Sequence, residues 1–137
     1  MKRFLLAKFT EGKTNIAVLV LRIFVGVLMA HHGYGKLTHF EEYSAKFMDF
    51  LYLGPKVSLA LVIGAEFFCS LLLVVGLFTQ LSLIPLIITM AVALFKAHSG
   101  EIFGDGEPAF LYLTIYVALF ITGPGKYSVD QYLFKVD

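Results

Sequence analysis

The chain has 137 residues, 58% of them hydrophobic and 15% charged, with a mean hydropathy of +0.81 and a formal net charge of +1. A soluble domain carries about 25% charge, so this composition excludes one and reads as a polytopic membrane protein. No basic run exceeds Lys2-Arg3, which excludes a nucleic-acid footprint, and the single cysteine, Cys69, excludes an internal disulfide and a Cys-x-x-Cys redox pair.

The first apolar segment, residues 15–33, is longer than a signal-peptide core, holds Arg22 and lacks a small-residue cleavage site, so it reads as a retained span. Across residues 38–56, Phe40, Tyr43, Phe47, Phe50 and Leu51 recur at helical spacing opposite Glu41, Glu42, Lys46 and Asp49. That pattern predicts a short amphipathic helix on the membrane surface, as a strut between the first two spans or as a lid over a pocket. Residues 57–78 form a second apolar run, interrupted by Glu66. A charge at the centre of a bilayer costs at least ~2.5 to 3.5 kcal/mol, so such residues face the bundle interior and mark a functional site by default.

Thr79 and Gln80 separate this run from the third, residues 81–97, which forces a tight antiparallel hairpin. Pro85 falls near the start of the third span, where it is tolerated unless helical pairing begins earlier. A loop with Glu101 and Asp105 leads to Glu107, and the fourth run, residues 108–122, opens on Pro108 and closes at Gly123-Pro124. The runs match or approach a ~30 Å hydrocarbon core at about 1.5 Å per residue. The expected fold is therefore all-α: one membrane domain over residues 1–137, a four-helix transmembrane bundle with a short amphipathic interfacial helix between spans one and two.

Lys2, Arg3, Lys8, Lys13, Lys126 and Lys135 lie on the side of the termini, against Lys36, Lys46, Lys56 and Lys96 on the other. Six against four favours cytoplasmic termini by the positive-inside rule. His31, His32, His39 and His98 then lie at the outer face.

Counted inward from Gly33, Arg22 lies eleven residues deep, and counted from Lys56, Glu66 lies ten. Both come to roughly 15 Å, near mid-membrane, which makes them candidate partners, with Ser70 placed to add a hydrogen bond. The pair reads either as a clamp holding two helices in register or as a site for a polar ligand head or a proton relay. Gly26, one turn from Arg22, either admits a close helix or leaves room for a ligand.

At the outer rim, His32, Lys36, His98 and Glu107 end or begin spans and would converge in a bundle. Imidazoles beside carboxylates shuttle protons near neutral pH, as a quinol site requires. His31 and His39 read as solvated or capping residues. A haem held by His32 and His98 is disfavoured, because neither common depth nor facing follows from the sequence. Tyr112 and Tyr116, with Phe95 and Phe103, would line a flat ring pocket or serve as interfacial belt residues.

The chain resembles the DoxX family of small four-helix membrane proteins over nearly its whole length. The resemblance rests on Arg22, the segment HGYGKL from His32 to Leu37, Gly64-Ala65-Glu66, the Gly76-Leu77-Phe78-Thr79 turn, His98, Glu107 and GPGKYSVD from Gly123 to Asp130. That family takes its name from a subunit associated with an archaeal terminal quinol oxidase and thiosulfate:quinone oxidoreductase. The resemblance implies an inner-membrane protein with a redox association, and a polar cluster of Arg22, His32, Lys36, Glu66, His98 and Glu107. The expected ligand is a quinone, held by this chain or by a soluble or membrane redox partner that it supports; no metal is expected. The alternatives are a non-catalytic scaffold, whose charges only lock helices together, and a small transporter. A transporter would need an inverted repeat, which a homo-oligomer could supply.

Overall fold

The computed structural model describes residues 5–49 and 52–135. Among the described residues it is a bundle of four long helices with two short ones and no strands. The first helix, α1, covers Glu11–Thr38, capped at its start by Thr10, whose hydroxyl accepts from the Lys13 amide. At 28 residues it is about 42 Å long and projects beyond a ~30 Å core, so it extends well past the apolar run at both ends.

A five-residue helix, α2, covers Phe40–Ser44. The interfacial helix is thus present but much shorter than the apolar spacing predicts. The Lys46 amide turns back to the Tyr43 carbonyl, and Phe47 and Met48 leave the helical path to lie half-buried on the bundle. Burial of two large side chains against the core outweighs helix propensity at the surface. Phe50 and Leu51, at the far end of that pattern, lie outside the described residues, as do Lys2 and Arg3.

Helix α3 covers Pro55–Val75 and α4 covers Thr79–Ala97. Gly76 closes α3 in the left-handed region at φ 77°, its amide donating to the carbonyls of Leu72 and Leu73. The α3–α4 hairpin is as tight as the intervening residues require. Because α4 begins at Thr79, Pro85 sits in its second turn, where a proline leaves the helix one hydrogen bond short.

Helix α5, Glu107–Thr122, is 16 residues long, and a final short helix, α6, covers Val129–Phe134. Helices α1, α3 and α4 are long and apolar enough to cross a membrane, and α5 is a shorter apolar helix beside them. Phe24, Leu81 and Ile121 are among many large apolar side chains left mostly exposed, which suits lipid and not water. Val25, Met29, Leu73, Leu83, Leu86, Leu94, Tyr116 and Leu119 form the centre of the core. Helix α1 packs chiefly on α3 and α4 chiefly on α5; the seam between α1 and α5 is the least closed.

Candidate functional site

Arg22 and Glu66 do not meet. Because α1 continues to Thr38, Arg22 lies sixteen residues, about 24 Å, from that end, whereas Glu66 lies eleven residues, about 17 Å, from Pro55. The apolar run stops short of the true helix end, so the count from Gly33 placed Arg22 too near Glu66. Each charge finds a different solution.

Arg22 is 1% exposed and is enclosed by main-chain oxygens. Its Nε donates to the Leu73 carbonyl at 3.0 Å and Nη2 to Val74 at 3.2 Å, at the end of α3. Nη1 reaches the carbonyls of Pro124 at 2.6 Å and Tyr127 at 3.1 Å, in the segment after α5. The last carbonyls of a helix are orphan acceptors with negative partial charge, which is what a guanidinium fork needs. Beside it, Asp130 accepts from the amides of Phe78 at 2.7 Å and Thr79 at 2.9 Å, capping α4, while its own amide donates to the Gly76 carbonyl at 2.9 Å. A Cβ on Gly76 would stand 2.6 Å from Ser128 Cβ and 2.9 Å from Arg22 Cζ, so glycine is required there for space as well as for its positive φ. The closing Gly-Pro-Gly segment is therefore a structural knot. Gly26 resolves in the same direction: its face is filled by Val74, so it admits a helix and leaves no room for a ligand.

At the opposite end Glu66, 4% exposed, pairs with Lys36. The Lys36 Nζ lies 2.8 Å from one carboxylate oxygen and 2.6 Å from the other. Two local features place it. At Gly33 the backbones of α1 and α3 touch, since a Cβ there would fall 2.6 Å from the Phe67 amide nitrogen and 2.8 Å from the Glu66 carbonyl carbon. Over Gly64–Cys69 the α3 backbone widens into a π-helical stretch, which re-aims the side chains that follow. Such stretches are rare and recur at functional sites. A second one, Ala93–Ala97, ends α4 immediately before His98.

Glu66, Lys36 and His98 line one cavity of ≈ 410 Å³ together with Lys46, Phe47, Met48, Val62, Thr89, Val92, Ala93 and Ala97. Of the six candidate residues, the structure brings these three together. His32 is exposed on α1 and meets Tyr112 edge to face, with ring centroids 6.3 Å apart; it does not line the cavity that His98 lines. Glu107 lies with Asp105 on a separate groove of ≈ 680 Å³ in the α1–α5 seam. The turn that sends the Gly106 amide back to the Glu101 carbonyl carries Glu107 to that other face of the bundle. His39 closes α1 through its ring and amide contacts to the Gly35 carbonyl, a capping role.

Behind Glu66 lies a patch that sequence reasoning named only in part. The rings of Tyr112 and Tyr116 are 6.0 Å apart. The hydroxyls of Ser70 and Tyr116 face each other, fully buried, in a geometry short of a good hydrogen bond. Ser70 thus stands with Tyr116 and not between Arg22 and Glu66. Lys46 on the cavity and Asp130 in the knot were missed as partners. Periodicity named no partner for either: it set Lys46 only on the polar side of the expected surface helix, and Asp130 acts from the first turn of α6 on amides 51 and 52 positions away. Among the described residues no three of His, Cys, Asp and Glu cluster so as to hold a metal ion.

A polytopic helical membrane protein with one guanidinium held by main-chain carbonyls and one buried ion pair open to a cavity is thus the class that fold and site define. The family model described as DoxX matches residues 17–99, and the chain belongs to the DoxX family. It is 32% identical over 127 residues to the inner membrane protein YqjF of Escherichia coli (strain K12), an alignment covering 88% of this chain and 95% of that protein. No solved structure matches it. Its apolar helices and this relative place it in the inner membrane.

Proposed function

We propose that the chain is a quinone-linked component of a membrane oxidoreductase system, with its ligand head at the Glu66–Lys36–His98 cavity. The observation that carries this reading is the buried carboxylate–ammonium pair opening onto a cavity with an imidazole on its wall. A buried charge pair in lipid is costly to maintain, and a cavity beside it gives both groups a ligand to address. A quinone bound there would supply exchange of two electrons and two protons. Lys36 is suited to donate a hydrogen bond to a ring oxygen, Glu66 to hold a proton within the site, and His98 to pass one to the rim. The electrons require a partner protein, because one isolated cysteine offers no redox pair. With the termini in the cytoplasm, the cavity opens at the outer face.

Arg22 has no part in this chemistry, since carbonyl oxygens already occupy its fork. A scaffold is the second reading, favoured by one observation: Lys36 bonds both Glu66 oxygens. The two readings separate on purified protein in mild detergent. Under the first, extracted lipid contains near-stoichiometric quinone, and Glu66→Gln folds normally but loses it together with quinone-linked turnover in membranes. Unchanged quinone content and turnover in Glu66→Gln would sink the site assignment, and wild-type protein free of quinone would leave the scaffold.

A further inference from the structure

The head cavity does not end at Glu66. Beside it, between α3 and α4, runs a second cavity of ≈ 240 Å³ whose lining is almost wholly apolar, with Leu61, Ala65, Pro85 and Ile88 and two small hydroxyl side chains. The two share five lining residues, Phe47, Met48, Val62, Thr89 and Val92, and are therefore adjoining parts of one space. That space is polar at one end, where Lys36, Lys46, Glu66 and His98 stand, and apolar along the rest. Leu61 is 54% exposed and Ile88 51%, so both slot walls reach the bundle surface that lipid covers. Phe47 and Met48 roof the junction.

Resting on the quinone reading, we infer that the α3–α4 slot is the chain-binding part of the site, and that the ligand enters sideways from the bilayer between Leu61 and Ile88. The occupant is a single-chain amphiphile with a hydrogen-bonding ring head. Apolar surface has no reason to leave lipid for an ordinary crevice, so a slot continuous with a polar cavity is occupied only when a polar head anchors the chain. The larger α1–α5 groove is the competing place for the chain. Its lining carries Asp105 and Glu107 but no basic group, and it holds none of Glu66, Lys36 and His98, so a chain there would belong to a different head.

The test compares two probes on the full-length protein in lipid nanodiscs: a dimethoxy-methyl-benzoquinone with a decyl chain and the same ring without it. Ile88→Trp and Leu61→Trp fill the slot from half-exposed positions that do not line the head cavity; Leu111→Trp is the matching change in the α1–α5 groove. The expected result is that either slot variant lowers the ratio of decyl to chainless affinity about tenfold, with chainless binding nearly unchanged and Leu111→Trp without effect. A ratio unchanged in the slot variants, or lost in Leu111→Trp instead, overturns the inference while leaving the quinone reading intact. Failure of the wild-type protein to bind either probe overturns both. A decyl quinone with a diazirine at its chain end gives an independent reading on wild-type protein. Adducts on α3 and α4 near Leu61 and Ile88 support the slot, and adducts on Leu28 or Leu111 refute it.

Discussion

The two ends of this bundle each bury a charge, and they handle it in opposite ways. Near the termini, the Arg22 fork makes four hydrogen bonds to main-chain carbonyls, and Asp130 ties the start of α4 to the segment that supplies two of them. Near the His98 end, Glu66 has one partner among the described residues, a half-buried lysine, beside an open cavity and two hydroxyls that find no good partner among those residues. Saturated polar groups held by backbone specify a fold, because no ligand can improve on them. Under-coordinated groups beside a void are where a ligand gains by binding.

That contrast implies a ranking of effects. The largest is expected for Arg22→Met, which takes the guanidinium from four carbonyls, of which Leu73 keeps the Gly76 amide. Thermal unfolding in detergent should show a loss of about 3–5 kcal/mol, and no second change at Glu66 should restore it. Rescue by a Glu66→Leu partner would revive the direct pair and dissolve the comparison. Asp130→Ala comes next, at about 2–3 kcal/mol, from two charge-assisted bonds to amides lost at the head of α4. Faster amide exchange at Phe78 and Thr79 would locate the damage.

Gly33→Ala acts across the divide. Its added methyl must push α1 from α3 at Glu66, for about 1–3 kcal/mol and a measurable loss of quinone binding. Full binding in a protein so destabilised would show that the helix contact does not position Glu66. The smallest stability effect belongs to the Lys36–Glu66 pair. Lys36 is 23% exposed at its side chain, so the Lys36→Met, Glu66→Gln cycle should return a coupling of about 1 kcal/mol, while ligand binding falls in each single variant. A coupling as large as the Arg22 effect would make this end structural too.

Much of this was legible in the residues. The apolar runs, the hairpin at Gly76 to Thr79, the place of Glu66 inside a span and the surface position of His39 follow from hydropathy and capping chemistry, which act locally. The DoxX resemblance set the same residues in one frame. Which charge meets which was not legible. The length of α1 depends on seven polar and small residues beyond the apolar run at its ends, and depth counted from the run alone misplaced Arg22 by a turn or more. The π-helical stretch at Gly64–Cys69 has no sequence period of its own, yet it helps decide where Glu66 points.

The separation between the six candidates has the same origin. Lys36 and Glu66 lie on two helices and His98 caps a third, their rotations set by packing, with the backbones closest where Gly33 meets Phe67. His32 sits four residues before Lys36 on the same side of α1, but one turn along the helix, where it meets Tyr112 instead. Local chemistry in the chain determined that this is a helical membrane protein with charges it must bury. Only the tertiary structure decided that Arg22 would be closed by carbonyl oxygens and Glu66 left beside a cavity, because both outcomes depend on helix ends, rotations and backbone contacts between residues 30 to 105 positions apart.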